Sequence, residues 1–129
     1  MILNRDEKVR DEIIFGKYEP EKYVGGIRRF DDLSLGNLLK LVRCEFIDVN
    51  ERHNSCPHVE TILLFMERYP GYFASGYAVS AERDDYRVSL DGLKKTGILT
   101  EVEKADALSL FGKADDFRLD ENGLYCWFD

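Results

Sequence analysis

The sequence has few cysteines, no long apolar run, no excess of positive charge and no recognisable cofactor motif. Its three cysteines are Cys44, Cys56 and Cys126. An odd number at wide spacing argues against a disulfide scaffold and fits reduced thiols in a cytoplasmic protein. The longest apolar stretch, Ile62 to Met66, is far short of the roughly 20 residues that span a bilayer. Charges follow at once after Met1-Ile2-Leu3, with no apolar segment of the secretory kind. Basic residues number 18 against 25 acidic ones, a net charge of -7 and a pI near 4.9. Nucleic acid and anionic membranes attract proteins with positive fields, so neither is an expected partner, whereas a basic protein is.

The missing motifs narrow the chemistry further. Gly25-Gly26 is too short for a phosphate-cradling loop, and no Lys-Ser/Thr follows it. Asp48-x-Asn50 with Asn54 resembles a calcium loop in part. His53 stands where glycine is needed and Val59 where glutamate is needed. Asp84-Asp85 falls at an expected hairpin tip, where carboxylates are solvated and do no acid–base work. No metal and no cofactor is expected.

At 129 residues, with 44% apolar and 33% charged side chains, the chain reads as one globular domain able to fold on its own core. Residues 5–15 read as a first helix, with Asn4 as cap, Glu7 at capping-box spacing and Gly16 as terminator. Its apolar set of Val9, Ile13 and Ile14 is thin, which places it at the periphery. Residues 17–30 read as a connecting segment with one helical turn at Pro20, so 1–30 is a peripheral helix and connector. Leu35, Leu38, Leu39, Val42 and Phe46 make one face of a helix over 33–46, with Asp32 as cap. Residues 57–69 form a central helix opened by Pro57 and stopped by Pro70-Gly71.

The period then changes to two. Phe73, Tyr77 and Val79, then Tyr86, Val88 and Leu90, predict a hairpin whose large residues share the core face. That register sets Val79 opposite Tyr86. Thr100 and Glu103 open a last helix through Phe111. Asn122-Gly123 predicts a second hairpin with Leu119 opposite Cys126 and Arg118 opposite Trp127. The expected fold is α+β. Three N-terminal helices lead into two β-hairpins separated by a helix, and about four antiparallel strands are backed by helices.

Two sets of residues are candidates for function. The first is Cys56, placed before Pro57 at a helix start, where a dipole favours thiolate and His53 or His58 is near enough in sequence to act as base. No cysteine-hydrolase signature surrounds it, and the His53-x2-Cys56-x-His58 run lacks the second half of a zinc site. The second set is at the C-terminus. Residues 99–129 hold eight acids and three bases, so most of the charge excess lies there. Asp115, Asp116, Asp120 and Glu121 flank Arg118, Tyr125 and Trp127. The aromatics are either covered by another element or anchors of a binding patch. The acids are either a solvated face or a rim that steers a basic partner. The reading that joins these features is a small acidic interaction module, of the inhibitor or immunity kind, that docks on a basic protein. The alternative is a cytosolic enzyme with Cys56 as nucleophile, and self-association through Trp127 and Tyr125 is a third use of the same patch.

Overall fold

A computed structural model describes all 129 residues. The chain runs α1 (Glu7–Phe15), a single 3-10 turn (Pro20–Lys22), β1 (Ile27–Leu33), α2 (Leu35–Arg43) and α3 (Val59–Arg68). It continues β2 (Phe73–Val79), β3 (Arg87–Thr96), α4 (Glu101–Phe111), β4 (Asp116–Asp120) and β5 (Gly123–Trp127). This is an α+β fold with one five-stranded antiparallel sheet in the order β1-β2-β3-β5-β4. No helix is long and apolar enough to cross a membrane.

The fifth strand is β1, which occupies part of the expected connector and interrupts the run of helices. Its sequence, Ile-Arg-Arg-Phe-Asp-Asp-Leu, shows little alternation because it is an edge strand with a bulge between Phe30 and Leu33. Charged side chains on an edge strand oppose further pairing, so they belong there. The bulge lets both Phe30 and Leu33 face the core, buried. The cap of α2 is accordingly Ser34, which accepts from Asn37 N–H at 3.2 Å, and not Asp32. The cap of α1 is Asp6 in place of Asn4. Gly16 ends α1 at φ 80, and the capping box of Thr100 and Glu103 is fully made.

Helix α1 is tied down by a buried ion pair as well as by Ile13, Ile14 and Phe15, which pack against the core. Val9 is exposed, while Arg10 and Asp11 are fully buried as an ion pair at 2.9 Å. Arg10 also donates to the Val79 carbonyl (2.7 Å) and to Tyr23 Oη (2.9 Å), and Tyr23 donates to Asp11 (2.5 Å). Every one of these groups is satisfied, which is the condition for burying a charged pair at tolerable cost.

The first hairpin pairs Val79 with Arg87 and Tyr77 with Ser89, one residue away from the expected register. A shift of one reverses the faces. The core side of β2 is therefore Ala74, Gly76 and Ala78, while Phe73 and Tyr77 point away from the helices. A β-bulge follows, where Gly76 faces Leu90 and Ser75 faces Gly92, leaving Asp91 as the extra residue. In the second hairpin Arg118 faces Tyr125 and Phe117 faces Cys126, so the turn is Glu121-Asn122. This register moved by an even step, and the expected division of faces survives. Leu124 and Cys126 are buried with the core, and Arg118 and Tyr125 lie on the other side. The two hairpins join through β3 and β5.

Candidate functional site

The helix-free face of the sheet gathers most of the C-terminal candidates. Tyr125 and Trp127 project from β5, Arg118 and Asp116 from neighbouring β4, and Arg29 from β1. Trp127 lies against Gly92, where an added Cβ would come within 3.2 Å of its Cε3. Its ring reaches Tyr77, edge to face at 5.5 Å, and carries the Arg29 guanidinium at 4.2 Å. Its indole N–H donates to Asp129 at 2.8 Å.

Trp127 is thus 7% exposed. Of the two readings of this aromatic, covered by another element or standing out as an anchor, the burial fits the first, and the covering group is the protein's own Arg29. The signal for this was hidden, because Arg29 belongs to the strand that the pattern did not reveal. Tyr125 is half-buried beneath Arg118, whose guanidinium sits 4.7 Å from the ring. Arg118 also contacts Asp116 at 3.3 Å.

The acids behave as an exposed set. Asp115, Asp116, Asp120 and Glu121 are all solvent-exposed on the β4–β5 hairpin, with Asp129 beside them. Asp115 accepts from the Asp129 backbone N–H at 2.7 Å, and Asp120 accepts from Asn122 N–H at 2.7 Å. These bonds fix the hairpin's two ends. Asp116 and Asp120 straddle Arg118 along the outer edge strand, where charge also guards against edge-to-edge pairing.

The cysteine candidate has a different environment. Cys56 is 1% exposed, and burial pushes its thiol far above the ordinary value. A thiol in such surroundings is inert, since the thiolate is the nucleophile. His53 gives it no base. His53 Nδ1 accepts from Leu90 N–H at 3.1 Å, and Nε2 therefore carries the proton toward Glu51 Oε2 at 3.0 Å. His58 is the exposed N-cap residue of α3, which begins two residues later than Pro57. No group of three or more His, Cys, Asp or Glu side chains is placed to hold a metal ion.

The histidine has a structural task that the sequence did not announce. Strand β3 spans Arg87–Thr96, yet β5 pairs with it only from Gly92 onward. Beyond that point His53 and Phe128 act in place of a strand. His53 takes the Leu90 N–H, and Phe128 N–H donates to the Asp91 carbonyl at 2.7 Å. Between this loop and β3 lies a polar cleft of about 440 Å³, lined in part by Arg52, Asn54, Ser89 and Asp91.

No protein-family model, curated protein or solved structure shows a significant match to this chain.

Proposed function

We propose that this protein is an interaction module that binds a basic protein through the β4–β5 hairpin, in the manner of an inhibitor or immunity protein. The observation that carries this reading is the exposure of Asp115, Asp116, Asp120 and Glu121 on one hairpin. Carboxylates so placed create a local negative field that raises the encounter rate with a positive surface. Half-buried Tyr125 beside them supplies amphipathic contact area of the kind that anchors interfaces. Trp127 supports the patch from below and makes no direct contact in this reading.

The test is a charge reversal of the hairpin, Asp115→Lys, Asp116→Lys, Asp120→Lys and Glu121→Lys together. A partner is captured with the unaltered protein at low salt and identified, and its association is then measured with both purified proteins. The reversal is expected to slow association by at least about tenfold at low salt, with a smaller difference at high salt. An identified partner that binds the reversed protein equally well overturns the proposal, as does a captured partner with no basic surface.

A further inference from the structure

The cleft beside β3 holds a charge arrangement that the fold itself leaves open. Asp91 is 1% exposed and touches no cation. Its carboxylate accepts from two neutral donors, Ser89 Oγ at 2.7 Å and Asn54 Nδ2 at 3.0 Å. The guanidinium on its own strand, Arg87, is turned to Asp85, 3.1 Å from Oδ2 and 3.0 Å from the carbonyl. Both ring nitrogens of His53 are taken up by Leu90 and Glu51, so its imidazole makes no hydrogen bond to Asp91. Burial raises the Asp91 carboxyl above its ordinary range, outweighing the hydrogen bonds from Ser89 and Asn54 and the attraction of His53 and Arg87 nearby. A buried charge is ordinarily paired, so this carboxylate is an exception with room beside it.

Two further features point to what would pair with it. Asn54 is exposed and sits at φ 53, in the left-handed region, with its amide laid over Asp91. A neutral N–H donor therefore occupies the position that a cationic N–H donor would fill more favourably. Arg52, on the rim of the same cleft, is exposed and forms no ion pair. Of the charged groups lining the cleft, Arg87 pairs with Asp85 and Glu51 with His53, which leaves Asp91 and Arg52 as the two that form no salt bridge. Its volume, about 440 Å³, lies within the range of small-molecule sites.

We propose that this cleft binds a small zwitterion of the amino-acid class. Its ammonium replaces the Asn54 amide on Asp91, and its carboxylate meets Arg52. Each half of the ligand answers one charge that lacks a salt bridge, so neither half alone satisfies the site.

The experiment is a titration of the 15N-labelled protein with each common amino acid, and with ethylamine and propionate as single-charge probes. At least one amino acid is expected to shift the Asn54, Ser89 and Asp91 amides saturably, with a dissociation constant of about 1 mM or tighter. Each single-charge probe is expected to bind at least about tenfold more weakly. Asp91→Asn removes the buried charge, and with the native spectrum kept it is expected to weaken amino-acid binding at least about tenfold. Arg52→Gln alters an exposed side chain, and it is expected to weaken binding about tenfold with an unchanged melting temperature. The proposal is overturned if no amino acid saturates, if ethylamine binds as tightly as the best amino acid, or if Arg52→Gln leaves the affinity unchanged.

Discussion

Against the helices, the sheet presents Ala74, Gly76 and Ala78 from β2 with Val88, Leu90 and Leu93 from β3, all buried. Away from them it presents Phe73, Ser75 and Tyr77 from β2, Gly92 from β3, and Tyr125 and Trp127 from β5. The helices bring volume to the first face. Phe65 meets Phe111 and Tyr72 edge to face at 5.0 and 4.9 Å, and on the sheet itself the Phe30 ring lies over Gly76, where an added Cβ would come within 3.1 Å of its Cζ. The second face has no covering layer and supplies its own. Trp127 lies over Gly92, and Arg29 and Arg118 lie over the aromatic rings. Large alternating residues therefore mark the side of a sheet that lacks a second layer, as readily as the side that packs on one.

The sharpest way to break this comparison is to remove one large ring from each face. Phe111 is fully buried between α4 and the rest of the core. Phe111→Ala leaves a closed cavity and is expected to cost about 3–5 kcal/mol. Trp127→Ala opens a hole that water can enter, so the cavity penalty is spared, and the loss of its burial and of its contacts to Tyr77, Arg29 and Asp129 is expected to be smaller, about 1.5–3 kcal/mol. Urea denaturation of both variants measures the difference. Equal losses would mean that the open face is as closed as the helical one.

A smaller effect is expected from the lid alone. Arg29→Ala removes the guanidinium from the Trp127 ring while leaving the strand intact. An exposed cation–π contact contributes about 0.5–1 kcal/mol. Trp127 is the sole tryptophan, so its emission reports the change directly. A shift to longer wavelength in the folded variant, with a melting temperature lower by a few degrees, is the expected result. Unchanged emission would show that Arg29 does not shield the ring.

These elements differ in how far they could be read in advance. Helix ends were legible where a local bond decides them, as at Thr100 with Glu103 and at Gly16. The gathering of acids on the last hairpin was legible because an even register shift preserves faces. Strand β1 was not, since its two charged pairs mask the period and only pairing with β2 makes it a strand. The first hairpin failed for a related reason. Its register is set by a wide turn, and its alternation is broken at Asp91, an irregularity that pattern alone cannot place. The cleft was out of reach, because Asn54 and Asp91 meet across 37 residues of chain. The burial of Trp127 depended on both misread strands at once.

The smallest expected effect asks whether the ground beneath Trp127 is dry. Ser75 is 1% exposed on the helix-free face, opposite Gly92, and its hydroxyl has no hydrogen-bond partner. A buried hydroxyl without a partner loses its bonds to water on folding and gains none in return. Ser75→Ala deletes that unsatisfied group and alters little else, because a methyl fits where a hydroxymethyl did. Stability is therefore expected to stay level or to rise by up to about 1 kcal/mol. A loss of about 1 kcal/mol or more would show that the hydroxyl bonds to water admitted under the indole ring. The open face would then be covered in outline only, and the distinction between a packed face and a self-shielded one would come down to how much solvent Trp127 lets through.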